Sequence, residues 1–227
     1  MTRGRDPGAP SRARQRKPAN ARQSWRSCLI LGTRGIKARH RHLLRDLLRL
    51  LPHAKQGSKL DPEEGLTAVV KLCEDRLCGS ALLLDARDPH RLYTWAASCP
   101  DGPSAMFRVL NVHTIEELKP EARRASGARN VLVFDQEFEN SAARRVLRQL
   151  LTAVFSVPHD TADAKPALHS LSFAWLDGRI WMRVYRISYG EDGAVEGMTE
   201  IGPRLVLKPM RIISGGFGGA VLQNTFR

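Results

Sequence analysis

Apolar residues along this chain recur with two spacings, one helical and one extended, and the two alternate from end to end. In "HRHLLRDLLRLLP" (residues 40–52), Leu43, Leu44, Leu47, Leu48, Leu50 and Leu51 return on one side of a helix at about 100° per residue, while Arg41, Arg45 and Arg49 share a narrow opposite stripe. The pattern predicts an amphipathic helix that buries its leucines and presents arginines, ended by Pro52. Just before it, the apolar run at 28–33 predicts a strand; after it comes a lysine-bearing loop, "HAKQGSK". A second helix is expected over "DPEEGLTAVVKLCEDR" (61–76), with Asp61 as N-cap, Pro62 at the first helical position, and Glu63 and Glu64 at the positive end of the dipole. Its buried face would be Leu66, Val69, Val70 and Cys73.

Further strands are predicted at "SALLLDA", "RLYTWAA" and "MFRVLNV", then at "NVLVF" ahead of another helix. "LSFAWL" and "RIWMRVYRI" are joined by Asp177-Gly178, a hairpin signal. "RLVLKPMRI" reads as the last strand, with Pro209 confining it to a sheet edge or a bulge.

The chain repeats itself. A shift of 103 lays "LIL" (29–31) onto "LVF" (132–134) and Leu43, Leu44, Leu47, Leu48 and Leu51 onto Val146, Leu147, Leu150, Leu151 and Val154. Arg41 and Arg45 then fall on Arg144 and Arg148, while Arg49 falls on Thr152. A shift of 100 lays "GPSAMFRVLNV" (102–112) over "GPRLVLKPMRI" (202–212). Two matches in the same order predict a duplicated α/β unit. The expected layout is a disordered basic N-terminal arm at 1–26, a first half at 27–115, a connection at 116–130, a second half at 131–213 and a Gly-rich C-terminal segment at 214–227.

Charge adds the kind of partner. The 227 residues carry a formal +13, of which +7 lies in residues 1–27, so the body is basic as well. A folded basic body points to a polyanion, nucleic acid ahead of an acidic membrane. "RARQRK" (12–17) fits a nuclear or nucleolar address, and no run of 18 apolar residues could span a bilayer. Cys28, Cys73, Cys78 and Cys99 lack the paired C-x-x-C spacing of a metal knuckle and read as reduced packing residues.

The sequence supplies no catalytic set. "GGFGG" (215–219) lacks the companions of a dinucleotide or phosphate loop and reads as a flexible strand exit or a close backbone approach. His40 and His42 would lie about 200° apart on a helix, too far to share a metal. Asp135, Glu137 and Glu139 read as a solvated loop or cap. No enzyme activity, metal, cofactor or small-molecule substrate is expected.

"CLILGTRGIKARHRHLLRDLLRLLPHAKQGSKLD", "YTWAASCPDGPSAMFRVLNVHTIEELK", "DGRIWMRVYRI", "EIGPRLVLKPMRI" and "GGFGG", in that order and from about residue 28 to 219, resemble the Brix-domain family. The resemblance implies two similar α/β halves like the anticodon-binding domain of class II aminoacyl-tRNA synthetases. It also implies nucleolar residence, binding of large-subunit pre-rRNA, and the company of other assembly factors and ribosomal proteins, with no membrane and no enzymatic role. Two departures bear on RNA contact. Met106 stands where the family usually has lysine, and the sequence ends eight residues after Gly219, where relatives usually continue with a basic extension. RNA contact area is therefore expected to be reduced or supplied by the N-terminal arm.

The candidate RNA-binding residues are Arg34, Lys37, Arg39 and Arg41 around the first strand-to-helix turn, Arg45 on the helix stripe, Lys55 and Lys59 in the next loop, and Ser104 in the "GPSAMF" block. From the second half come Arg204, Lys208 and Arg211, with Arg204 and Lys208 on one face if the strand is regular. A different class of function is a protein-binding scaffold that docks a helical assembly factor, with RNA secondary. Phe217 and Val221, apolar for a tail, would then dock on a partner or on the domain's own sheet.

Overall fold

Eleven strands join in one sheet, and the order of its main path is nearly a palindrome. The computed structural model describes residues 27–61, 63–119, 129–157 and 166–224; the basic arm, Pro62, His159 and most of the predicted connection lie outside them. The elements are β1 (Ser27–Gly32), α1 (Ala38–Leu50), β2 (Ala54–Gln56), α2 (Thr67–Asp75), β3 (Cys78–Asp85), β4 (Leu92–Ser98), β5 (Ser104–His113) and α3 (Ile115–Leu118). They continue with β6 (Asn130–Phe134), a 3-10 turn (Gln136–Glu139), α4 (Ala142–Phe155), β7 (His169–Leu176), β8 (Arg179–Tyr189), β9 (Val195–Glu200), β10 (Arg204–Ile213) and β11 (Val221–Asn224).

The strand order is β2-β1-β3-β4-β5-β10-β8-β7-β6, with β9 on β8 and β11 on β10. Outward from the antiparallel β5–β10 pair, each side runs through two antiparallel neighbours to a parallel outer pair, β3–β1 or β7–β6. The fold is thus two similar α/β halves in a single sheet. The matched strands β5 and β10 agree in phase: Ala105, Phe107, Leu205 and Leu207 all enter the same core. Each is preceded by a left-handed glycine in a tight space. A Cβ on Gly102 (φ +92°) would lie 2.3 Å from the Gly215 backbone, and one on Gly202 (φ +60°) 2.3 Å from Leu118.

The other strand match is one residue out of phase. Leu29 and Leu31 pack with Val69 on the α2 side of the sheet, whereas Leu132 and Phe134 pack with α1 and α4 on the other side. A slip of one residue turns every side chain of a strand over, so the match at a shift of 103 holds for the helices and fails for β1 and β6.

Both long helices lie on one face of the sheet, and α4, although it belongs to the second half, packs across β3, β4 and β5 of the first. Leu43 and Leu47 of α1 and Leu150, Leu151 and Phe155 of α4 therefore share a core with Leu82, Phe107 and Leu205. Asn130 Nδ2 donates to the Leu50 carbonyl at 3.2 Å, and His53 Nε2 lies 3.2 Å from the Val154 carbonyl, tying the helix ends together across the halves. On the opposite face α2 covers only the first half, where Val69 and Cys73 meet Leu31, Leu83 and Trp95.

Two local expectations are corrected, and a third is met. Helix α2 starts at Thr67, with Leu66 rather than Asp61 as its N-cap. Asp61 instead closes a turn, its N–H donating to Glu64 Oε2 at 3.2 Å, and its carboxylate faces Arg34 at 3.3 Å. Within "HAKQGSK", Ala54–Gln56 form an edge strand parallel to β1, too polar to be recognised by its pattern. Pro209, expected at a sheet edge or a bulge, takes the bulge: the pairing with β5 shifts between Pro209 and Arg211, and β8 reaches only Leu205–Leu207. The four cysteines are free and buried, and burial pushes the Cys28 thiol up to about 12.

Because the helices of both halves close one core, the halves are expected to unfold together. Leu151→Ala removes a fully buried side chain under α4 and should cost about 2–5 kcal/mol. Denaturant unfolding followed by tryptophan fluorescence and circular dichroism is expected to show one coincident transition at lower denaturant; two separated transitions would mean two cores.

Candidate nucleic-acid interface

The first strand-to-helix turn opens onto a groove of about 660 Å³ at one end of the sheet. Lys37, Arg39 and His40 line it from α1, Arg87 and Arg91 from the β3–β4 connection, and Arg108 from β5. At its base α1 begins with Lys37 as N-cap, without a side-chain cap and without an acidic residue in the first turn. The first amides of a helix carry partial positive charge and lack intrahelical acceptors. Here they sit among cationic side chains, an arrangement that suits the oxygens of a phosphate.

Not all of these cations are equally available. Arg39 holds Glu117 with two bonds, 2.6 and 3.0 Å, which keeps the Glu117 carboxylate below its usual range. Arg87 is fixed by the buried Asp85, its Nε donating at 2.8 Å. Lys37, Arg91 and Arg108 make no ion pair with a carboxylate among the described residues; Arg91 is held by Tyr93 with the charge of Asp88 nearby, and Lys37 and Arg108 form the part of the rim open to an anion. Asp46 of α1, nearly buried, accepts the Ile115 N–H at 2.9 Å and so docks the short helix that carries Glu117 beside the groove.

Of the residues expected from sequence, Lys37 and Arg39 enter this groove. Arg34 faces Asp61 at its side, and Arg41 donates to the Ile36 carbonyl at 2.8 Å. Arg45 is exposed further along α1. Lys55 lies on the far edge strand, donating to the Arg76 carbonyl at 2.8 Å, and Lys59 is exposed in the loop beyond.

Ser104 is a correction. It is fully buried, donating to the Gly215 carbonyl at 2.8 Å and accepting the Phe217 N–H at 3.1 Å, so it fastens the Gly-rich segment rather than touching RNA. Of the two places expected for Phe217, a partner or the domain's own sheet, it takes the second: its ring lies 6.1 Å from Trp95 and is 5% exposed, which makes it part of the chain's own core rather than a partner contact. Val221, by contrast, is exposed on β11. Gly216 shows why the segment needs glycine, since a Cβ there would meet the Pro100 carbonyl at 2.3 Å.

Arg204 and Lys208 lie on one side of β10, which runs without an extra residue from Arg204 to Pro209, the register shift falling at Leu110 of β5. They serve different sites all the same: Arg204 turns to Glu200, with bonds of 2.6 and 2.7 Å, while Lys208 and Arg211 line a separate cavity of about 520 Å³ beside Trp175. Sequence reasoning missed Arg87, Arg91 and Arg108. The signal was present in "ARDPHR", a basic hairpin tip, and in the arginine inside an otherwise apolar strand.

The equivalent stripe on α4 is neutralised. Arg144 pairs with Glu137 at 2.6 Å and lies over the Trp175 ring at 4.4 Å; Arg148 pairs with Glu139 and lies over Phe134. Ser141 caps this helix by accepting the Arg144 N–H at 3.2 Å. Asp135, read from sequence as loop or cap, accepts the Trp175 N–H at 2.5 Å. The two halves thus share a backbone plan and differ in surface charge.

His40 reports on the groove. Its pKa lies below the ordinary value because of burial first, then the nearby Lys37 and Arg39 charges, so it is neutral at pH 7. A phosphate bound beside those cations offsets both charges and raises that pKa. Binding is therefore expected to take up a proton and to strengthen as pH falls. NMR titration of the His40 ring with and without a short oligoribonucleotide checks this: an upward shift of its midpoint is expected, and an unchanged midpoint would place the ligand elsewhere.

Comparison with known proteins agrees with the fold and the motifs. The Brix domain family model matches residues 33–211. The chain is 38% identical over 197 residues to a ribosome biogenesis protein BRX1 homolog of Dictyostelium discoideum, covering 86% of this chain and 60% of that protein. It is 37% identical over 216 residues to ribosome biogenesis protein BRX1 of Saccharomyces cerevisiae, covering 90% and 74%. With the human BRX1 homolog it shares 39% identity over 195 residues, covering 86% and 54%. Against the first and last of these, the chain spans less than two thirds of the relative's length. Among solved structures, a probable ribosomal biogenesis protein from Aeropyrum pernix shares the fold at a TM-score of 0.55 and 15% identity, over 80% of this chain and 95% of that one. The doubled strand order, the Gly-Pro blocks before β5 and β10 and the family match over most of the chain together make this protein a member of the Brix-domain family.

Proposed function

We propose that this chain acts in ribosome biogenesis as a non-enzymatic RNA-binding assembly factor of the large subunit, holding folded pre-rRNA by its phosphates. The observation that carries the reading is the groove at the uncapped start of α1, where Lys37, Arg91 and Arg108 converge without a carboxylate ion pair among the described residues, Asp88 beside Arg91 being the one acid in the lining. Contacts of this kind neutralise phosphates irrespective of base. Selectivity then resides in the shape of the RNA, which spaces its phosphates to match the rim.

In this proposal the first half (27–115) supplies the groove, the second (131–213) completes the sheet and core, and the basic arm (1–26) adds sequence-independent attraction. The stretch at 116–130 joins the halves; in the last segment Gly215 and Phe217 close on Ser104 of the first half, and β11 pairs with β10 of the second. The relatives' names support a ribosome-assembly setting, and with it residence in the nucleolus among other assembly factors and ribosomal proteins. The absence of a nucleophile-base pair in the groove, which holds cations and a helix terminus, supports binding rather than turnover.

The test is a triple variant, Lys37→Glu with Arg91→Glu and Arg108→Glu, measured against fragments of large-subunit pre-rRNA across a salt series. Affinity is expected to fall by at least about tenfold and the salt dependence to flatten by roughly three phosphate contacts, with cooperative unfolding retained. Unchanged affinity and slope would remove the groove from RNA binding.

A further inference from the structure

The groove at α1 has a counterpart in the second half. Residues 108–112 of β5 line the groove together with the start of α1 and the β3–β4 connection. At the shift of 100 they fall on 208–212 of β10, where Lys208, Pro209, Arg211 and Ile212 line the cavity of about 520 Å³ together with the start of α4 and the β7–β8 turn. The cavity opens where β10 lacks a neighbour on that side: β8 pairs with it only at Leu205–Leu207, and β11 takes over at Arg211. Pro209 stands in the gap and has no N–H to leave unpaired there.

The chemistry of the counterpart is different. Where the groove gathers cations, the cavity is walled by Trp175, by the Arg144 guanidinium lying 4.4 Å over its ring, and by the buried Leu147 and Ile212. Glu137 pairs with Arg144 at 2.6 Å, so this planar stack is close to neutral. The side-chain amides of Asn140 and Gln223 also line it, without a hydrogen-bond partner among the described residues. Lys208, exposed and in no ion pair among the described residues, adds a positive charge, and Arg211 a second. Planar walls, amides for an edge and a cation beside them suit an unstacked nucleotide, because single-stranded RNA is recognised by stacking its bases on rings or guanidinium planes and bonding their edges. The volume is that of a small-ligand site, room for one nucleotide and too little for a duplex. The cavity also adjoins the groove: in the β5–β10 register Arg108 lies directly opposite Lys208. Like charges so placed cost stability, and a phosphate beside the pair offsets that cost.

We infer that this cavity takes one unstacked nucleotide of the bound RNA, a role that rests on the RNA-binding function proposed above. The base stacks on the Arg144–Trp175 pair, Asn140 and Gln223 meet its edge, and its phosphate lies at Lys208, next to Arg108 of the groove. The groove is indifferent to bases. The cavity requires one, so the two sites together select RNA in which an unpaired nucleotide follows a phosphate array of the right shape.

The experiment measures binding of the full chain, by fluorescence anisotropy, to two short single-stranded probes of equal length and charge: oligoadenylate and an abasic ribose-phosphate chain. The unaltered chain is expected to bind oligoadenylate at least about tenfold more tightly than the abasic chain. Arg144→Ala removes one layer of the stack, and Ala143→Leu fills the cavity from α4 without changing charge or helix propensity much. Each is expected to abolish most of that preference with cooperative unfolding retained, and Ala143→Leu to leave binding of the abasic probe unchanged. Lys37→Glu in the groove is expected to weaken both probes alike and to keep the preference. Equal binding of the two probes by the unaltered chain, or a preference that survives both cavity variants, overturns the inference and gives the cavity to another occupant, such as a peptide side chain. The groove fails differently: if Lys37→Glu leaves both affinities unchanged while the cavity variants erase the preference, the phosphate site falls and the base site stands. Binding of neither probe by the unaltered chain removes the RNA reading and the cavity's role with it.

Discussion

Everything in this molecule depends on the β5–β10 pairing and on α4 lying across it. The pairing merges two copies of an α/β unit into one sheet, and α4 then places second-half residues such as Leu151 and Phe155 over first-half strands. Burial of apolar surface is the main favourable term in folding. With the two helices sharing one buried layer, the core on that face of the sheet is closed by neither half alone. The helix ends are coupled by the Asn130 and His53 contacts, so the position of α1, and with it the groove, is fixed by the second half.

That division of labour explains why duplicated units carry different surfaces. On α4, Glu137 and Glu139 reach Arg144 and Arg148, and aromatic rings lie under both guanidinium groups. A guanidinium so held is already satisfied and has little to gain from a phosphate. At α1 the corresponding acids are missing from the first turn, and Arg91 and Arg108 come in from neighbouring strands. One half became mainly the support and the other the main contact surface. The same asymmetry extends to the opposite face, where, among the described residues, α2 covers the first half and no helix covers the second.

Much of this was legible in the residues, and the failures have specific causes. Helix α1, the Asp177-Gly178 hairpin, and the phase of β5 against β10 followed from period and turn chemistry, which are local. The β1–β6 match failed because short apolar runs align about as well one residue out of phase, and only the packing partners decide the face. Strand β2 was missed because three polar-flanked residues on an edge bury too little to leave a pattern. Ser104 was misassigned, and the place of Phe217 left open, because a polar residue beside Gly-Pro and an aromatic in a tail both look exposed until the chain returns to cover them. Arg87, Arg91 and Arg108 could not be grouped with Lys37 from sequence, since only the sheet brings the hairpin tip and β5 to the start of α1.

The most direct check of the central claim, that the uncapped start of α1 and its flanking strands are where RNA lies, is zero-length ultraviolet crosslinking of the unmodified chain to pre-rRNA, with the attached peptides identified by mass spectrometry. The account predicts nucleotide adducts concentrated in residues 34–45, 87–92 and 106–112. Adducts concentrated instead on α4, or on the β6–β8 face, with none at the groove, would contradict it.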